Sequence, residues 1–184
     1  HCIEIDASRS LANKAGATFQ VITLPFIADC SSSAMIHKDV AITQDEGALP
    51  STFVPGRNAL FLTIAGMIAH QKNSQIIFTG VCQTDFSGYP DCRSDFIKSA
   101  QNTINLAMET DISIQTPLMH LTKADTVRLM QDLGKLDWYA DSHTCYNGHR
   151  PACGTCPACE LRLKGFAEAG IQDPLEYAAS STLT

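Results

Sequence analysis

Basic side chains are in the minority, with 13 Lys and Arg against 19 Asp and Glu for a formal net charge of −6. That balance argues against a broad nucleic-acid-binding face, although a local basic patch is compatible with it. No apolar run reaches the length needed to span a bilayer, so a helical membrane span is excluded. No signal peptide is visible in these residues, and four of the eight cysteines (Cys2, Cys30, Cys82, Cys92) are scattered rather than arranged as a small disulfide frame. Together these point to the cytoplasm. There is also no opening methionine. His1 to Ala15 already reads as the interior of a helix, with Ile3, Ala7 and Leu11 on one face and Gly16 as its stop. The expectation is that the sequence begins part-way through a protein.

Against these absences, one concentration stands out. Cys145, Cys153, Cys156 and Cys159 place half of the cysteines within fifteen residues, spaced C-x7-C-x2-C-x2-C. Tetrahedral zinc takes four thiolates at about 2.3 Å, and short loops plus a helix start deliver them well. Cys156 suits a helix N-cap with Pro157 at the first helical position, which needs no amide hydrogen. Cys156 and Cys159 then lie at the positive end of the helix dipole, a setting that favours thiolate over thiol. Asn147, Gly148 and Pro151 supply turn chemistry for the longer loop. His149, Arg150, Arg162 and Lys164 are placed to offset the two net negative charges of four thiolates on a divalent ion. An iron–sulfur cluster is the rival reading, but the fourth ferredoxin-type cysteine followed by proline is absent.

The chain is long enough to bury a core without relying on a metal for all its stability. Thr18 to Leu24 is rich in β-branched and apolar residues and reads as a strand. Pro25 to Arg57 is a long polar connection, of a length that in a compact domain is usually functional. Asn58 to Gln71 is apolar nearly all round and reads as a buried helix, followed by a strand at Gln75 to Thr79. A helix over Asp91 to Glu109, a strand over Ile112 to Gln115, and a helix from Thr122 to Leu133 closed by Gly134 complete the pattern, with Thr122 and Asp125 forming a capping-box-like start. Strand and helix alternating at this spacing imply an α/β fold with a parallel sheet and helices on both faces, and ligands bind beyond the carboxyl ends of such strands.

Three segments fall at those ends. Gly80 to Arg93 gathers acids, aromatics and glycines. Asp85 or Asp91 could accept hydrogen bonds from the N–H edge of a guanine-like ring, Phe86 or Tyr89 could stack on it, and Gly80 and Gly88 permit close backbone approach. The plainer reading is a surface loop with a helix N-cap at Asp91. Arg57 and Asn58 open a buried helix, where a guanidinium and free amides suit a phosphate or carboxylate, unless Pro55 and Gly56 simply make a turn beside a solvated arginine. Lys123, in the first turn of a helix after a strand, opposes the helix dipole and is positioned for a phosphate, although a surface lysine is the commoner explanation.

TFVPGRN (52–58), TGVCQTDFSGYPDCR (79–93), TPLMHLTKADTVRLMQDLG (116–134) and CYNGHRPACGTCPAC (145–159) together closely resemble the 7-cyano-7-deazaguanine synthase family, the queuosine-pathway branch of the N-type ATP pyrophosphatase superfamily. The third motif is shared with wider relatives such as NAD and GMP synthetases. The resemblance implies a Rossmann-like nucleotide-binding domain over residues 1–142 and a zinc-binding C-terminal segment over 143–184. It also implies a cytoplasmic homodimeric ligase that uses ATP with Mg²⁺ to convert 7-carboxy-7-deazaguanine and ammonia to the 7-cyano compound through an adenylated intermediate, with no membrane or nucleic-acid partner. Residue by residue, it makes Cys145, Cys153, Cys156 and Cys159 the zinc ligands. It puts Arg57 and Lys123 at phosphate or carboxylate, and Asn58, Gly80, Asp85, Phe86, Tyr89 and Asp91 around nucleotide or deazaguanine. The family's SGGxDS phosphate loop does not occur in this sequence, which strengthens the expectation of an N-terminally truncated chain. Two other functions are weighed against the ligase: a tRNA-thiolating relative and a non-catalytic zinc-bearing binding module.

Overall fold

The computed structural model describes residues 2–37, 39–43, 49–83 and 88–178. Its helices are α1 (Cys2–Lys14), α2 (Arg57–Gln71), α3 (Ser94–Met108), α4 (Lys123–Asp132) and α5 (Pro157–Ala169), and its strands are β1 (Ile76–Phe78) and β2 (Ser113–Gln115). The described chain forms two compact units, one of residues 1–24 with 122–184, the other of residues 25–121.

In the first unit α4 begins as the sequence indicates. The Thr122 hydroxyl accepts from the Asp125 amide at 3.1 Å while the Asp125 carboxylate accepts from the Thr122 amide at 3.1 Å, so two first-turn donors are satisfied reciprocally. The helix α4 packs on α5 at very close range: a Cβ built on Gly165 would meet the Lys123 Cβ at 2.6 Å, a spacing only glycine allows. Arg128 ties the pair at its surface by donating to the Glu168 carbonyl at 2.7 Å. A 3₁₀ turn, Leu136–Asp141, contacts both neighbours: Tyr139 meets Phe166 edge-on at 5.1 Å, and Asp141 pairs with Lys14 of α1.

In the second unit β1 and β2 pair in parallel, with Ile76 opposite Ser113, Ile77 opposite Ile114 and Phe78 opposite Gln115. Ile114 and the half-buried Ile77 face a core built from Leu62 of α2, Ile97 and Ile104 of α3, and Met119. Gly66 lets α2 approach α3, where an added Cβ would meet Ile104 at 2.7 Å. Side chains of α3 serve the backbone around β2: Gln101 accepts from the Ile114 amide at 2.7 Å, and Asn105 both accepts from the Ile112 amide at 2.8 Å and donates to the Ile112 carbonyl at 2.9 Å. Backbone donors that no strand takes up are thereby satisfied. On the opposite face Phe78 is 71% exposed.

Thr18 to Leu24 is not a strand. Val21 and Ile22 are exposed, and no ladder partner for this segment is found among the described residues. β-Branched content makes a segment suitable for a sheet, but the strand itself is created by a hydrogen-bonded neighbour. The 25–57 connection opens with a 3₁₀ turn, Pro25–Cys30, and is then knotted by serines. Ser33 donates to the Ser51 carbonyl at 3.1 Å, and the Ser51 hydroxyl accepts from Thr43 at 2.8 Å and donates to the Ala41 carbonyl at 2.9 Å. No helix among the described residues is long and apolar enough to cross a membrane.

Candidate metal centre and pocket segments

Cys145, Cys153, Cys156 and Cys159 converge, with all four sulfurs within 4.8 Å of one another. Cys156 is the N-cap of α5 and Pro157 its first residue, as the sequence indicates, so Cys159 lies in the first turn. Cys145 sits on a turn closed by the Gly148 amide, which donates to the Cys145 carbonyl at 3.0 Å. Gly148 and Gly154 hold left-handed φ values of 65° and 75° that the two tight turns require. Backbone amides point at sulfur: Cys153 N–H to Cys145 Sγ at 3.5 Å and Cys156 N–H to Cys153 Sγ at 3.3 Å. The Asn147 side chain adds a donor to Cys153 Sγ at 3.4 Å.

A four-thiolate ion fits this arrangement. Thiolates at about 2.3 Å from a tetrahedral ion lie about 3.8 Å apart, and Cys153 Sγ and Cys159 Sγ are 3.9 Å apart. Burial acts to raise the Cys153 thiol, but amide hydrogen bonds from Thr155 and Cys156 outweigh it and bring the group down to about 6. Burial drives Cys159 the other way, reinforced by the neighbouring Cys156 and Cys145 sulfurs. Thiols crowded in a dry site resist ionising together, and a divalent cation removes that conflict.

The cationic residues expected to balance the centre behave differently. Arg162, 7% exposed, is committed to Asp173 through a two-pronged contact with both N···O distances 2.7 Å. Its remaining donors reach Ser142 Oγ at 2.6 Å, Thr144 Oγ1 at 3.3 Å and the Tyr139 carbonyl at 3.1 Å, and it lies over the Tyr139 and Phe166 rings. Lys164 faces Glu168 at 3.8 Å on the surface. His149 and Arg150 line a cavity of about 380 Å³ with His143 and Glu176. Sulfur-directed amides, rather than Arg162 and Lys164, therefore carry the local compensation.

Asp173 also accepts from the Tyr177 hydroxyl at 2.7 Å and the Leu175 amide at 3.0 Å, and burial, followed by the hydrogen bond to Asp173, raises the Tyr177 hydroxyl above its usual range. The segment so held crosses the cysteine loop: Ala152 donates to the Glu176 carbonyl at 3.0 Å and accepts from the Ala178 amide at 2.8 Å. Arg162, Asp173 and Tyr177 were not legible as partners, because Asp173 and Tyr177 lie eleven and fifteen residues beyond Arg162 in unpatterned sequence.

In the second unit the TFVPGRN and PDC segments meet. Gly56, at φ 73°, precedes α2 and has no side chain to cap it. The cap comes from Asp91, whose Oδ2 accepts from the Asn58 amide at 3.0 Å. Asn58 returns its side-chain amide to the Asp91 carbonyl at 3.1 Å and to Cys92 Sγ at 3.4 Å. Burial and the adjacent Asp91 carboxylate push the Cys92 thiol up, which makes it a poor nucleophile. Nearby, Tyr89 shares a 2.6 Å hydrogen bond with the buried Thr52 hydroxyl and stacks against Phe53 at 5.9 Å. Gln83 caps α3 by accepting from the Ser94 amide at 3.1 Å. Arg57, Asn58, Tyr89 and Asp91 are thus in one place, with exposed Gly80 and Gly88 on the same connection. Asp85 and Phe86 lie outside the described residues, and Lys123 opens α4 in the other unit.

A parallel α/β sheet, helix starts bearing Arg57 and Lys123, and a buried four-thiol centre define an α/β protein equipped to hold a metal. The chain belongs to the family described as queuosine biosynthesis protein QueC, within the ATP pyrophosphatase superfamily, whose pattern matches residues 1–170. It is 46% identical over 178 residues to a 7-cyano-7-deazaguanine synthase of Chromobacterium violaceum, covering 95% of this chain and 76% of that protein. Proteins of the same name from Bacillus subtilis and Laribacter hongkongensis are also 46% identical, over 91% and 95% of this chain and 78% of each relative.

Proposed function

We propose that this protein is an ATP-dependent ligase that makes 7-cyano-7-deazaguanine from 7-carboxy-7-deazaguanine and ammonia. The observation that carries the reading is 46% identity to proteins of that name along 95% of the chain. A carboxylate is a poor electrophile. Its oxygen attacks the α-phosphorus of ATP and expels pyrophosphate, and ammonia then displaces AMP to leave the amide and a proton. The amide oxygen repeats the attack on a second ATP, and loss of AMP with a proton gives the nitrile. Most of the demand on the protein is to hold two anionic reactants together and exclude water.

In this reading Arg57 and Lys123 meet phosphate or carboxylate, Asp85 or Asp91 accepts from the pyrimidinone N–H edge, and Phe86 or Tyr89 stacks on the ring. Asn58, Gly80 and the Asp91 segment shape the pocket wall. Zinc held by Cys145, Cys153, Cys156 and Cys159 has no open position and is structural. ATP enters with Mg²⁺, and the working form is a cytoplasmic homodimer with no nucleic-acid or membrane partner. Neither the tRNA-thiolating nor the non-catalytic alternative is favoured by the relatives. The test is to supply 7-carboxy-7-deazaguanine, ammonia and ATP to the full chain and follow AMP and nitrile formation. AMP release that does not depend on the deazaguanine would count against the assignment.

A further inference from the structure

Asp91 and Asp85 are both carboxylates of one connection, and a guanine-like edge needs only one. The structure distinguishes them through what Asp91 already does. Only 8% exposed, it fills the cap position that Gly56 cannot fill, and Asn58 answers with its own side chain on the Asp91 carbonyl. The two residues are 33 apart in sequence, so this single reciprocal contact sets the start of α2, and Arg57 with it, against the Tyr89–Cys92 segment. The Thr52–Tyr89 hydrogen bond and the Phe53–Tyr89 stack join the same segments at a second point.

Resting on the ligase reading, we infer that Asp91 is a positioning residue: it caps α2 and registers Arg57 against the ligand segment, and it does not read the heterocycle. A cap needs an acceptor oxygen but no charge, so Asn can replace Asp there. A carboxylate that accepts two adjacent N–H donors cannot be replaced by an amide, which turns a donor toward them.

The experiment compares Asp91→Asn, Asp91→Ala and Asp85→Asn in the full chain. The dissociation constant for 7-carboxy-7-deazaguanine, kcat and KM are measured alongside hydrogen exchange of the Asn58 amide. Asp91→Asn is expected to keep the Asn58 amide protected and to bind the deazaguanine at least about threefold more tightly than Asp91→Ala. Asp91→Ala should speed Asn58 exchange about tenfold and weaken ligand binding with it, a loss that the Asn variant restores. Asp85→Asn should weaken binding at least about tenfold and leave Asn58 exchange unchanged. Weakened binding in Asp91→Asn with Asn58 still protected would overturn the inference, as would unchanged Asn58 exchange in Asp91→Ala. If the unsubstituted protein bound no deazaguanine, the ligase reading would fail, while Asn58 exchange would still decide whether the cap exists.

Discussion

The cysteine segment and the Asn58–Asp91 clasp solve the same problem, holding irregular backbone in one shape, with different redundancy. Around the cysteines, sulfur-directed amides, a buried arginine and a crossing segment all act on the same loop. The clasp depends on a few side-chain contacts between segments more than thirty residues apart. Redundancy suits a part that must not move. A sparse clasp is the more easily opened of the two, since segments with few buried bonds open at low cost.

The largest effect should come from breaking the redundant side at its metal. On the zinc assignment proposed above, Cys159→Ser, or treatment with a strong chelator, is expected to lower the zinc content from one per chain to near zero. It should also destabilise the 145–178 segment by several kcal/mol, since metal binding and folding are linked there. Metal analysis and a thermal melt check this, and a chelated protein with an unchanged melt would remove the metal from the comparison. Next in size is Arg162→Ala. It leaves Asp173 buried and unpaired at about 3 to 5 kcal/mol, read by denaturant unfolding, whereas Arg162→Met with Asp173→Leu should cost much less.

Acid offers a graded version of the same break. Burial acts to raise Asp173, but Arg162 and Tyr177 outweigh it and hold the carboxyl below its ordinary value of about 3.9. A carboxyl lowered by folding stabilises the protein fully above its unfolded value, and that contribution is lost as pH falls through the folded value. Stability should therefore decline below about pH 4, and the decline should be shallower in Asp173→Asn. The smallest effect belongs to the clasp. Thr52→Val removes the hydrogen bond to Tyr89 and is expected to cost only about 1 kcal/mol of stability while raising KM for the deazaguanine several-fold. A large stability loss with unchanged KM would erase the contrast between the two regions.

The helices were legible in the sequence because their signals are local. Thr122 and Asp125 cap α4, Gly16 and Gly134 stop helices at left-handed φ, and Pro157 starts α5. The cysteine centre was legible for the same reason, since one short stretch contains all four sulfurs. Thr18 to Leu24 misled because its composition fits a strand while strand identity depends on a neighbour. The clasp was half legible: TFVPGRN and YPDCR stood out separately, but a cap supplied across 33 residues leaves no periodic trace. Arg162 was misassigned for a similar reason. Proximity in sequence placed it by the cysteines, and only three-dimensional packing showed Asp173 as its partner.

The order in which the cysteine segment is synthesised adds a further consequence. All four thiols precede Asp173 and Tyr177 along the chain, with most of α5 between Cys159 and Asp173. During translation the sulfurs emerge before the segment that crosses their loop. An ion that arrives in that interval meets an open loop, and one that arrives later must enter past a closed one. Supplying zinc during synthesis rather than after purification should therefore govern how completely the protein is loaded.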